Sequence, residues 1–140
     1  MISEKEVKKL VKEGWIKSYM LFEVVSTSKE LAEKALKEHI EKLEKDERAK
    51  IVKKEFHEPQ ELGTEIKTLF SAICEVELLA QNLSSLAELV AVYGPSACEV
   101  IEPDVIKVSV GEAQELLNLL GRIMHKLSEL AGGIVVKREK

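Results

Sequence analysis

The most regular pattern in the chain runs from Leu69 to Ala80. Read with a period of two, it places Phe70, Ala72, Cys74, Val76, Leu78 and Ala80 on one face and Leu69, Ser71, Ile73, Glu75, Glu77 and Leu79 on the other. The first face is wholly apolar and calls for helices packed over it, whereas the second carries two carboxylates among aliphatic residues. A similar strand is predicted over Trp15–Val25, where Ile16, Ser18, Met20, Phe22 and Val24 alternate with Trp15, Lys17, Tyr19, Leu21, Glu23 and Val25. Ala49–Phe56 reads as an edge strand whose lysines deter foreign strands. His57, Glu58 and Pro59 open a stretch predicted as polar loop to beyond Gly63, and Ala97–Ile101 with Val105–Val110 form a last extended segment broken at Pro103.

Helical spacing fills the intervals. Ser3 with Glu6 forms a capping box ahead of Val7, Leu10 and Val11, and Thr27 with Glu30 forms another ahead of Ala32, Ala35, Leu36, His39, Ile40 and Leu43. His39, on the edge of that stripe, reads as a half-buried packing residue. Asn82 caps a helix carrying Leu83, Leu86, Ala87, Leu89, Val90 and Val92, which Gly94 and Pro95 end. A third capping box, Ser109 with Glu112, opens a long helix in which Ala113, Leu116, Leu120, Ile123, Leu127 and Leu130 recur at three-four spacing up to Gly132 and Gly133. Leu117, Met124 and Ala131 add a flanking row and Leu119 widens the other side. So broad an arc predicts an interface through Leu116, Leu120, Ile123 and Leu127, within the chain or with another copy. Ile134, Val135 and Val136 are predicted to add a short strand to an exposed edge.

The order of elements predicts an α+β fold, a ferredoxin-like βαββαβ antiparallel sheet with an added N-terminal helix and a long C-terminal helix at about 110–131. The whole of 1–140 reads as a single domain with its core at about 15–110. The first and third core strands, having the driest faces, belong in the middle of the sheet. Cys74 and Cys98 then lie about 9 to 10 Å apart with a strand between them, beyond disulfide reach, and read as reduced core residues.

Composition narrows the function. The 140 residues, 45% hydrophobic and 33% charged, suffice for one core without disulfide or metal. The charge is mostly Glu and Lys, the balance of a thermophilic protein. A net charge of -4 argues against nucleic acid or an anionic membrane as partner. With no apolar run of about 18 residues and no leader pattern, a cytoplasmic location is expected.

Glu23, Glu75 and Glu77 share the second sheet face with Tyr19 and Lys53. Glu75, Glu77 and Tyr19 are the catalytic candidates, since paired carboxylates serve as acid and base or hold a divalent cation; the same carboxylates also suit ion pairs with lysines on neighbouring strands. His57, His125, Cys74 and Cys98 share no ligand spacing, so no metal centre and no cofactor is expected. Ser26 and Thr27 at a helix N-terminus, and Tyr93, Gly94 and Ser96 in a distinctive loop, are candidates for binding a small ligand. No GxGxxG, GxxxxGK[ST], HExxH or GxSxG motif is present.

From Trp15 to Val110 the strand order and length resemble ferredoxin-like regulatory modules of the ACT kind. The resemblance implies a small molecule, often an amino acid, bound at an interface between paired domains. At Val25-Ser26-Thr27-Ser28 the chain departs from the glycine or aspartate that those modules often carry beside the ligand. The layout also resembles RNA-recognition motifs, whose open third strand carries aromatics; here it reads Leu69, Ser71, Ile73, Glu75, Glu77, which repels phosphate and stacks on no base. The resulting expectation is a non-catalytic homo-oligomer, a dimer or larger, that binds a small metabolite at a subunit interface. The alternatives are a small cofactor-independent enzyme of the dimeric α+β barrel type, using Glu75, Glu77 and Tyr19, and a protein-interaction scaffold.

Overall fold

The computed structural model describes residues 1–63 and 65–132. Its elements are α1 (Glu4–Lys12), β1 (Ile16–Ser26), α2 (Lys29–Glu44), β2 (Ala49–Phe56), β3 (Gln60–Gly63), β4 (Thr68–Ala80), α3 (Leu83–Tyr93), β5 (Ala97–Glu102) and α4 (Val110–Leu130). The fold is mixed α+β, with a five-stranded antiparallel sheet and four helices among the described residues. Two compact units form, Met1–Lys107 and Val108–Lys140. The sheet path is β2-β4-β1-β5, and β3 pairs with β4. The expected βαββαβ order is therefore not matched as such, because β3 occupies the stretch read as loop. All four of its residues are exposed, so no apolar alternation marks it. It exists because the first residues of β4 extend far enough to pair with it, Gln60 opposite Ser71 and Gly63 opposite Thr68.

The dry face follows the alternation. Ile16, Met20, Phe22, Ala72, Cys74, Val76, Leu78 and Ala80 are buried against Ala32, Leu36, Ile40 and Leu43 of α2 and Leu86 and Leu89 of α3. Ser18 is the polar member of this row, and its hydroxyl donates to the Glu99 carbonyl at 3.0 Å, so its burial leaves no polar group unpaired. His39 is half-buried; its Nε2–H donates to the Tyr93 carbonyl at 2.7 Å, and its ring meets Phe22 and Tyr93 edge-on.

The second face is not uniformly open. Leu79 is 0% exposed, flanked in register by Lys17 and Lys50. At this face α1 lies close by: its Val7 is buried, and Ile2 and Val7 line a hollow of about 580 Å³ with Lys17, Lys53, Glu77 and Glu102.

Three caps stand where the sequence places them. Ser3 Oγ accepts from the Glu6 amide, Asn82 Oδ1 from that of Ser85, and Ser109 Oγ from that of Glu112. The fourth moves by one residue. β1 continues through Ser26, whose Oγ accepts from the Ser28 amide at 3.4 Å, so α2 starts later. Ser28, not Thr27, accepts from the Leu31 amide at 3.3 Å. Ser28→Ala is expected to cost about 1 kcal/mol in urea unfolding, and Thr27→Ala less than about 0.5 kcal/mol; equal losses would return the cap to Thr27.

Two further expectations are corrected. β5 ends at Glu102, and Val105–Val110 adds no strand, because Pro103 has no N–H to continue a ladder and Ser109 instead caps α4. Cys98 is not a core residue: β5 is the outer strand and all its residues are exposed. Cys74 is buried and both thiols are free; β1 lies between them, with Phe22 opposite Cys74 and Met20 opposite Cys98. The expected strand at Ile134, Val135 and Val136 falls outside the described residues. No helix among the described residues is long and apolar enough to cross a membrane.

Candidate functional site

Cross-strand register sets out the open part of the second face in rows. Lys53, Glu77, Tyr19 and Glu99 lie side by side across β2, β4, β1 and β5, and the next row is Glu55, Glu75, Leu21 and Ala97. The pairing of β2 with β4 carries on past Phe56, since the His57 amide donates to the Ile73 carbonyl at 3.0 Å. Alternation therefore puts Lys53, Glu55 and His57 on the same face as Glu75 and Glu77.

Glu75 is the centre of this arrangement. The Tyr19 hydroxyl donates to its Oε1 at 2.6 Å, and His57 Nε2 lies 2.7 Å from its Oε2. Glu55, His57 and Glu75 each offer a ligand atom, and the three atoms lie within 4.8 Å of one another. Tyr19, Lys53, Glu55, Glu75 and Glu77 line a shallow depression of about 210 Å³.

The hydrogen bonds set the protonation states. Tyr19 is pushed up to about 12, chiefly by its hydrogen bond to Glu75, with desolvation and the charges of Glu75 and Glu99 adding to it. The Glu75 carboxyl is held below its ordinary value, first by the Tyr19 hydroxyl, then by His57, with the Lys53 charge contributing. Around neutral pH the carboxylate stays ionised and the phenol protonated, so neither is poised to exchange a proton.

Of the catalytic candidates, the structure joins Tyr19 to Glu75 and places Glu77 beside them, opposite Lys53. The ligand-binding candidates are not brought together. Ser26 holds the start of α2 and Thr27 is exposed. The Tyr93 hydroxyl donates to Asp46 Oδ2 at 2.7 Å, Gly94 closes α3 at a φ of 55°, and the amide and hydroxyl of Ser96 both donate to the Leu21 carbonyl. Ser26 lies five positions further along β1 than Leu21, about 17 Å of strand.

Sequence reasoning missed Glu55, and it set His57 aside as a ligand without placing it beside Glu75. The signal was the β2 alternation itself: carried one residue past Phe56, it aligns Lys53, Glu55 and His57. A larger hollow of about 400 Å³, between α2 and the start of the β2–β3 turn, was also missed; Leu36, Lys37, Glu44, Lys54 and Phe56 line it, and Lys54 and Glu44 already pair at 2.6 Å.

In the second unit, no residue of α4 is buried. Leu116 and Ile123 are half-buried, while Leu120 and Leu127 are 56% and 53% exposed. Leu117, Met124 and Leu130 are exposed as well.

Residues 17–140 match the profile of the MJ0538 family, and the chain belongs to that family. No curated protein and no solved structure matches the chain.

Proposed function

We propose that this member of the MJ0538 family is a non-catalytic homo-oligomer assembled through α4, with a small-molecule ligand taken at the boundary that assembly creates. One observation carries the reading: a 21-residue helix with no buried residue nevertheless repeats apolar side chains at three-four spacing along its whole length. That stripe runs about 30 Å, and a stripe of this kind on an unburied helix fits a partner helix better than water.

A second copy is the partner its pattern suits. In an antiparallel pair with full overlap, Ala113 meets Leu130 of the second copy, Leu116 meets Leu127 and Leu120 meets Ile123, so all six layers are filled. The same register sets Glu112 beside Lys126 of the second copy, and the symmetry makes that pairing twice. A parallel pair would instead set Glu112 beside Leu117. The flanking Leu117, Leu119 and Met124 leave further apolar surface for pairing dimers into a larger assembly.

For the Met1–Lys107 unit, the finer assignment is ferredoxin-like with β3 inserted, supported by a path that keeps β1 and β4 in the middle. The held protonation states of Glu75 and Tyr19 favour binding over acid–base catalysis at that face. Light scattering and native mass spectrometry test the assembly. The wild-type chain, 15.7 kDa, is expected at twice that mass or more, and Leu120→Glu or Leu127→Glu at the mass of one chain with an unchanged circular dichroism spectrum. A monomeric wild-type protein, or folded variants of undiminished mass, would remove α4 as the interface.

A further inference from the structure

We propose that Glu55, His57 and Glu75 bind one divalent transition-metal ion on the open face of the sheet, with Tyr19 positioning Glu75. The site lies wholly within the Met1–Lys107 unit and does not depend on assembly through α4.

Its donor set is one imidazole nitrogen and two carboxylates with no thiolate, which suits Zn²⁺, Co²⁺, Ni²⁺ or Mn²⁺. The arrangement of the donors carries more weight than their identity. Glu55 and Glu75 are direct cross-strand partners, and like charges set opposite each other in an antiparallel pair destabilise it. His57 and Tyr19 account for both oxygens of Glu75, yet nothing in those two hydrogen bonds explains a second carboxylate placed against it. A cation between them does. The surrounding face has the matching sign, since register and alternation add Glu23, Glu77 and Glu99 to the same side, against Lys17, Lys50 and Lys53.

The geometry needs little change. Ligand atoms of a tetrahedral zinc site, each about 2.0–2.1 Å from the ion, lie about 3.3 Å apart. Here all three fall within 4.8 Å, with Glu55 and His57 exposed and Glu75 half-buried, so the closure needed is within reach of side-chain rotation at Glu55 and His57. The ion takes the place of the proton between His57 Nε2 and Glu75 Oε2 and bonds to both atoms. Tyr19 keeps Oε1, which fixes the carboxylate's orientation as an outer partner of a ligand does. Three protein donors on an exposed face leave the remaining coordination positions to water or to a small anionic ligand.

The test uses the full chain stripped with chelator and titrated with Zn²⁺ by calorimetry and with Co²⁺ by visible absorption. One ion per chain is expected, with affinity falling at least about tenfold in His57→Ala and in Glu55→Gln. Glu55→Gln removes a charge from an exposed side chain and relieves the opposition to Glu75, so the stripped variant is expected to melt no lower than wild type. Tyr19→Phe is expected to keep one ion per chain but to shift the Co²⁺ absorption bands, which a purely structural role would leave alone. His125→Ala and the Leu120→Glu variant are expected to bind as wild type, so loss of assembly and loss of metal read out separately. The absence of saturable binding, or binding undiminished in both His57→Ala and Glu55→Gln, would overturn the site.

Discussion

Truncating Leu79 to alanine is expected to destabilise the fold by about 3 kcal/mol, as much as the same change at Leu78. The two residues are adjacent on β4, point to opposite faces and are both fully buried. Leu78 belongs to the core under α2 and α3. Leu79 does not; it lies on the second face between Lys17 and Lys50, at the end where α1 brings Ile2 and Val7 over the sheet. We therefore expect the short helix α1 to be its cover. Deleting residues 1–12 should uncover it, and Leu79→Ala in the shortened chain should then cost about 1 kcal/mol or less, while Leu78→Ala keeps its full effect. Urea unfolding of the four variants measures this. A Leu79→Ala loss below about 1 kcal/mol in the intact chain, or losses that simply add with the deletion, would show that α1 is not the cover.

That contrast marks where the sequence is readable. Periodicity is a property of the chain itself, so the faces of β1 and β4 and the buried stripes of α2 and α3 are legible from it. Leu79 is not, because alternation assigns it to the face of Glu75 and Glu77, and which end of that face is covered follows from the path of the chain, not from alternation. β3 is illegible for a related reason: its four exposed residues are held by backbone pairing, to which side-chain patterns are blind. The α2 cap slipped by one residue because Thr27 and Ser28 are both capping types, and where β1 stops chooses between them.

The candidate site divides in the same way. Tyr19, Glu75 and Glu77 share a face by alternation alone, and that much was legible. His57 was not, since Pro59 and its polar neighbours made the chain look like loop directly after Phe56, although the ladder continues to His57. Ser26, Thr27, Tyr93, Gly94 and Ser96 were chosen by residue type, and apart from the exposed Thr27 the structure uses them as caps, turns and backbone partners. The α4 stripe is fully legible as a pattern, but a pattern within one chain does not say what packs on it.

Asp46→Ala is expected to cost about 2–3 kcal/mol at pH 7. The Asp46 carboxylate, 11% exposed, accepts at Oδ1 from the Arg48 amide at 3.0 Å and Nε at 2.9 Å. Oδ2 accepts from Arg48 Nη2 and the Tyr93 hydroxyl, each at 2.7 Å, and Arg48 reaches on to Glu88 at 3.0 Å. The turn between α2 and β2 is tied to α3 twice, by Asp46 to Tyr93 and by Arg48 to Glu88, and Asp46 also orients the guanidinium of the second tie. Arg48 holds the Asp46 carboxyl far below the usual carboxylate range, against the opposing effect of burial, and the Tyr93 hydroxyl helps. A depressed folded-state value fixes the sign. The stabilisation is complete above the unfolded aspartate value of about 3.9 and drains away as pH falls from there towards the folded value. The gap in urea midpoint between wild type and Asp46→Ala should therefore be widest at neutral pH and narrow steadily below about pH 4. Tyr93→Phe, which removes one hydrogen bond to the same carboxylate, should show a smaller gap of about 1 kcal/mol that narrows over the same range. A gap that stays constant down to about pH 2 would mean that the aspartate's charge is not what binds the turn to α3.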